Sequence, residues 1–521
     1  MNEAWSWKGG RPWWGLALLV SLVAAWIPLA PVLAPLVNLE RLGQMLDSRT
    51  SMLLWRSVWM SSAAGLVAIL LGAPYALMAF RCKVPGAALF RLLLPLPLLL
   101  PPLMVAQAWY GLTDMTGAWA SVFTFGVCYA PLPGLLVARA LSQQPAAAHE
   151  TALLLGPRFA IGEMIRISLL PALIGGCFAF LFAAADFAVP DYFATVGELF
   201  HVYAAEIFGH SRNDDYTAGA TASLPLVLLG LGMLLACGAM QRRQLRHEIG
   251  QGRHAGVMHL GKASWSVSMF LTVVLVLLLF APLARIVYET GLQGPLSERT
   301  WSEVSNEAFT AALTRGRDDI VRTLSYSGIA GLICLGLAPL WAHLLLKTRS
   351  IWRILLMILV TLPLLVPSVA LGFGSILAFN RPGWEDFYLS ILLPGLLVAG
   401  RFLPIAVWIL CDRMSRVPDT QEDVAMLAGS SYLQRLFRYR LGPIRSSWWL
   451  AAGLVVAFGV RELDFAILLP AANQSAAVRY YNALHFSRDN FVAAYGLVLA
   501  IILFLPVMLF AWWRNLKSSN A

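Results

Sequence analysis

The chain has 521 residues, of which 59% are hydrophobic and 13% charged, with a net charge of +10 and a mean hydropathy of +0.70. A soluble domain carries roughly 25% charged residues. A chain this poor in charge cannot cover its apolar surface in water, so the composition excludes a soluble protein and makes lipid the solvent for most of it.

Twelve apolar runs of about 20 residues or more follow one another, near 13–37, 55–80, 89–112, 117–141, 165–189, 217–241, 264–288, 322–347, 353–379, 387–411, 447–470 and 491–513. Each is long enough to cross a hydrocarbon core of ~30 Å. Within lipid a backbone must satisfy its own polar groups, so the runs are expected to be helices. The fold class is therefore an all-α integral membrane protein with about twelve transmembrane helices. The first run is too long for a signal-peptide core and is expected to stay as the first helix.

Lys and Arg gather in every second connection. Arg81, Lys83 and Arg91 follow the second run, and Arg242, Arg243, Arg246, Arg253 and Lys262 follow the sixth. Lys347, Arg349 and Arg353 follow the eighth, and Arg413, Arg416, Arg435, Arg438, Arg440 and Arg445 follow the tenth. This bias puts those connections and both termini in the cytoplasm. The basic surface reads as an orientation signal and a contact for membrane lipid, with no sign of nucleic-acid binding.

The chain also repeats itself. Leu96-Pro97-Leu98-Leu99-Leu100-Pro101 recurs as Leu362-Pro363-Leu364-Leu365-Val366-Pro367. Arg56-Ser57 matches Arg322-Thr323, and Asp186-Phe187-Ala188-Val189 matches Asp464-Phe465-Ala466-Ile467. Ser211-Arg212-Asn213-Asp214 is similar to Ser487-Arg488-Asp489-Asn490. Two parallel six-helix copies are expected, 1–241 and 264–521, joined by a cytoplasmic linker at 242–263, with a pathway between them.

Two connections carry the most information. One reads Glu150-Thr151-Ala152-Leu153-Leu154-Leu155-Gly156, the other Asp423-Val424-Ala425-Met426-Leu427-Ala428-Gly429, and a basic stretch and a proline follow each. They resemble the EAA coupling motif of ATP-binding-cassette importer permeases, although Thr151, Val424 and Asp423 depart from it. The resemblance implies the type I importer permease fold, with Glu150, Ala152, Gly156, Asp423, Ala425 and Gly429 in short helices that dock on two ATPase subunits. It also implies an extracytoplasmic solute-binding protein on the outer loops and a bacterial inner-membrane location. ATP and Mg²⁺ would be bound by the partner ATPase; no cofactor and no enzymatic activity is expected in this chain. The stretches Ala185–Pro190 and Val478-Arg479-Tyr480-Tyr481 are most similar to the ferric-iron group of these permeases. Ferric iron is the first expected substrate, ahead of 2-aminoethylphosphonate, thiamine or a polyamine. A secondary transporter driven by an ion gradient, and a membrane enzyme or haem protein, are the readings from other classes.

Intramembrane charge is scarce and expensive. Asp186, Asp464 and Glu462 are the candidate pathway carboxylates, although a helix cap or a pairing with Arg461 or Arg479 would explain an interfacial Asp equally well. Pro97, Pro101, Pro363 and Pro367 are expected to break or kink the third and ninth helices, because proline removes an N–H and clashes with the preceding turn. Gly256–Lys262 spells most of a phosphate-binding loop, but Ala263 stands where the Mg²⁺-binding hydroxyl belongs. The six cysteines form no paired spacing, and the eight histidines do not cluster, so no metal site is assigned.

Overall fold

The computed structural model describes residues 10–37, 47–245, 256–293, 298–348, 350–486 and 490–519. The expected match at Ser487-Arg488-Asp489, the linker bases Arg246 and Arg253, and Arg349 lie outside the described residues. Among the described residues ten helices are long and apolar enough to cross a membrane, and the number reaches twelve if each of two sharply bent pairs is one span. The protein is thus a multi-pass, almost wholly helical membrane protein.

In chain order the elements used below are α1 (Arg11–Leu36), α2 (Ser48–Arg81), the bent pair α3 (Ala87–Leu99) and α4 (Pro102–Thr113), and α5 (Gly117–Ser142). Then come α6 (Ala146–Leu154), α7 (Pro157–Ala185), α8 (Ala188–Val196) and α9 (Tyr203–Gly209). They are followed by α10 (Tyr216–Ala239), α11 (Ala263–Thr290) and α12 (Trp301–Arg315). Next are α13 (Arg317–Lys347), the second bent pair α14 (Ile351–Leu365) and α15 (Ser368–Phe379), and α16 (Leu392–Met414). The last four are α17 (Asp419–Leu427), α18 (Tyr432–Val460), α19 (Ala476–Phe486) and α20 (Asn490–Ser519).

Two of the expected apolar runs overshoot. The run 165–189 stops at Ala185, because the Asp186 carboxylate accepts from the Val189 N–H at 3.1 Å and starts a new helix, α8. The run 447–470 stops at Val460, where Arg461 and Glu462 follow.

The described contacts divide the chain into two compact units, and each mixes segments of both sequence copies. One, here the α13 unit, comprises residues 1–45, 207–227 and 317–479; the other, the α2 unit, comprises 46–206, 228–316 and 480–521. In the α13 unit, α13, α16 and α18 pack on one another, and α1 lies against α13, α15 and α16. Glycine allows the close approaches: a Cβ on Gly374 of α15 would come within 1.7 Å of the Pro28 carbonyl oxygen. Trp341 donates from its indole to Ser21 Oγ at 2.9 Å, which ties α1 to α13.

In the α2 unit, α2, α5 and α7 form the corresponding trio, with α11 against α4 and α20 against α11 and α12. Gly72 admits the Ala130 carbonyl, which would lie 1.9 Å from a Cβ there. Met258–His259, within the glycine-lysine stretch 256–262, pairs in parallel with Cys82–Lys83 as a two-residue ladder.

The repeated Arg-Ser/Thr pair performs the same task in each unit. Arg56 donates to the His201 carbonyl at 3.2 Å, and Ser57 Oγ accepts from the Tyr203 N–H at 2.8 Å. Arg322 donates to the Gln474 carbonyl at 3.1 Å, and Thr323 Oγ1 accepts from the Ala476 N–H at 2.8 Å. One end of the leading core helix is thereby tied to the start of a later helix, α9 in one case and α19 in the other.

Candidate functional site

The two connections that carry the motif fold alike. Pro145 and Pro418, both extended, stand just before α6 and α17, and each helix is nine residues long. Proline suits this place because the first N–H of a helix has no partner to lose. Gly156 and Gly429 end the segments with φ of +119° and +79°, which a residue with a Cβ adopts only at a cost.

The motif residues divide by role. Ala152 and Ala425 are buried and let each short helix lie close to its support. Glu150 is exposed and Asp423 half-buried. The apolar side chains that project furthest are Leu154, 88% exposed, and Leu427, 77% exposed. They occupy the same place in the two segments, two residues before the glycine.

What holds each helix down differs. Under α17 lies Glu422, buried, with its carboxylate 2.8 Å from Arg440 Nε, 3.3 Å from His343 Nε2 and 3.4 Å from Lys347 Nζ. Arg440 also pairs with Asp419 and donates to the Val417 carbonyl at 2.8 Å. Behind His343, Nδ1 meets Tyr432 Oη at 2.9 Å, and that oxygen accepts from the Trp14 indole at 2.8 Å. Burial alone would push the Glu422 carboxyl up, but the hydrogen bond and charge of His343, with Lys347, outweigh it and hold the group below its usual range.

Under α6 the matching position is His149, also buried. Arg81 donates to the Leu141 carbonyl at 2.7 Å and to Gln144. Burial, and then the positive charge of Arg81, hold the His149 imidazole below its usual range against a smaller upward pull from Glu150.

A second kind of site surrounds the helix breaks. The prolines act as expected: α3 and α4 meet at 100° across Leu100-Pro101, and α14 and α15 meet at 97° across Val366-Pro367. Pro97 and Pro363 lie one turn earlier, inside the arms that end there. In the α13 unit the Val366 carbonyl accepts from Arg401 Nη1 at 2.7 Å. Arg401 lies 3.6 Å from Glu462, whose carboxylate also takes the Ser368 hydroxyl at the start of α15. Both charges are buried.

In the α2 unit the break itself is lined by buried Leu96, Leu98, Leu99 and Leu100. The polar contact comes one turn into α4. Gln107 donates to Glu289 at 2.7 Å, Glu289 pairs with Arg285 at 2.9 Å, and Tyr480 donates to Gln107.

Of the three carboxylates singled out in the sequence, Glu462 joins such a cluster. Asp186 caps α8, and Asp464 lies half-buried in the turn before residues 466–468. Arg401, Ser368, Glu289, Gln107 and Glu422 were not singled out. Arg401 carried a readable signal, since it is an arginine in the middle of an otherwise apolar run, where a charge needs a partner. Compared with models of known protein families the chain matches none, and no curated protein matches it.

Proposed function

We propose that the chain is the membrane-spanning permease subunit of an ATP-driven importer, of the binding-protein-dependent type. The observation that carries this reading is the loop helix that occurs twice, with a proline before it, a positive-φ glycine after it and an exposed leucine near its end. A short rigid helix with projecting apolar side chains fits a groove on a partner, in the manner of helix-in-groove recognition. Both loops fall on the face that the Lys and Arg bias assigns to the cytoplasm, where ATP is found.

In this reading two ATPase subunits each take one loop helix. Their closure on ATP draws the two loops together, and the membrane helices shift between two states that the partner biases. The bent pairs α3–α4 and α14–α15 leave irregular backbone where a path can run, as broken helices do in transporters. A binding protein would deliver the solute to the opposite face. Ferric iron remains the first substrate, with 2-aminoethylphosphonate, thiamine or a polyamine as alternatives. A gradient-driven transporter is the second reading, favoured by the half-buried carboxylate of Glu289 and the buried one of Glu462. Each already has an arginine partner, which works against proton cycling.

The test is purification of the chain from its native membrane with whatever ATPase accompanies it. Two ATPase copies per chain, released by the paired Leu154→Glu and Leu427→Glu changes, would support the reading. Transport that continues at the wild-type rate with both leucines replaced would overturn it.

A further inference from the structure

Residues from two distant stretches meet in the α2 unit at a single carboxylate oxygen. Asp191 on α8 presents Oδ2 to the hydroxyl of Tyr481 at 2.6 Å and to Nε2 of His485 at 3.2 Å, both on α19. The other ring nitrogen of His485, Nδ1, lies 2.9 Å from the Tyr481 carbonyl. A carbonyl can only accept, so Nδ1 carries the hydrogen of that bond. In the neutral ring Nε2 is then a bare lone pair, buried without a hydrogen-bond partner and aimed at an oxygen that is also an acceptor.

Two acceptors facing each other at this distance repel unless a cation lies between them. We infer that Asp191, Tyr481 and His485 form a binding site for a first-row transition-metal ion. Donors bound to one ion at ~2.0–2.2 Å lie roughly 3 Å from each other, and Asp191 Oδ2 lies 2.6 Å from the Tyr481 hydroxyl and 3.2 Å from His485 Nε2. A ligating imidazole commonly donates its second N–H to a backbone carbonyl, which fixes the ring's tautomer and direction, as the Tyr481 carbonyl does here.

The donor set chooses the ion. One imidazole nitrogen with a carboxylate and a phenol oxygen suits Zn²⁺ or Fe³⁺. It has too few oxygens for Ca²⁺ and no sulfur for Cu⁺. Coordination would ionise the Tyr481 hydroxyl and release its proton to water; no electron moves. The surroundings are suited to holding an ion. The ring of Tyr481 packs at 4.1 Å against that of His485, with Phe187 and Tyr192 beside them, while Asp191 keeps about a quarter of its side chain open to solvent. Among the described residues no three His, Cys, Asp or Glu side chains gather to hold a metal; here the third donor is a tyrosine.

Both helices lie outside the long apolar spans, in the segments that the charge bias assigns to the outer face. The site stands on its own geometry and does not depend on the importer reading. A missing ATPase partner would leave it untouched.

The experiment uses the full chain in detergent, loaded separately with Zn²⁺ and with Fe³⁺ supplied as a weak chelate, then desalted. The expected result is one ion retained per chain. The Zn²⁺ form should show a nitrogen and oxygen shell with one imidazole by X-ray absorption. The Fe³⁺ form should show a visible phenolate-to-iron absorption that Tyr481→Phe abolishes. His485→Gln and Asp191→Asn should each weaken retention by about tenfold or more. The inference is overturned by sulfur in the shell, which would mean that the cysteines bind the ion, or by equal retention in all three variants, which would mean adventitious binding. It also fails if nitrogen NMR of His485 in the unmodified chain shows an imidazolium that excess metal does not displace, since a proton would then fill the gap.

Discussion

The two bent helix pairs arise from the same proline pattern and bend by nearly the same angle, yet they are stabilised by different chemistry. At Val366-Pro367 the break is held by charge: Arg401 donates to the Val366 carbonyl where the helix is interrupted, and Glu462 binds both Arg401 and Ser368. At Leu100-Pro101 leucines line the break, and the carboxylate contact falls one turn away through Gln107. A proline motif therefore specifies a bend but not the chemistry that stabilises it. Removing one partner from a buried pair leaves the other uncompensated. Arg401→Met should cost about 3–5 kcal/mol of stability, and most of it should return in the Arg401→Met, Glu462→Met double variant. Arg285→Met, in a pair that retains some exposure, should cost less, about 1–3 kcal/mol. Denaturation in detergent checks both. Equal losses at the two sites would remove the distinction between a charged break and an apolar one.

How much of this could be read in advance follows from where each signal resides. The spans were legible because bilayer thickness imposes a length on every apolar run, and the breaks because proline acts on its own turn. The loop helices were legible through glycine, alanine and proline at short spacing. Arg401 with Glu462, Glu289 with Gln107, and the convergence on Asp191 were not. Those partners lie far apart in the chain, and only packing brings them together. The grouping of α1 with α13, α15 and α16 was illegible for the same reason, since no local pattern says which apolar face meets which.

The two loop helices offer a second comparison. Gly429 has φ +79° and sits in the left-handed region, which Asn also tolerates. Gly156 has φ +119° and ψ +161°, a region open almost only to glycine. Gly156→Asn should cost about 2–3 kcal/mol, while Gly429→Asn should cost under about 1 kcal/mol. If the segments are interchangeable couplers, the first change should impair ATPase association and the second should leave it near normal. Equal impairment would mean that the glycines serve a contact and not a turn.

The smallest effect is local and depends on pH. His149 is held below its ordinary value of 6.5, so the docked α6 binds fewer protons than the undocked segment. Its contribution is full above about pH 6.5 and is lost as pH falls from there toward the lower docked value. Glu422 is also depressed, but from 4.5, so its hold on α17 is complete above that value and fails only as pH drops further. Between pH 7.5 and 5.5, therefore, α6 should loosen while α17 stays docked. Amide exchange corrected for its intrinsic pH dependence should show faster exchange over 146–154 at the lower pH and no change over 419–427. His149→Gln should abolish the difference, because a neutral amide has no proton to gain. If both helices loosened together, the imidazole under α6 would not be the cause, and the two anchors would differ in composition but not in behaviour.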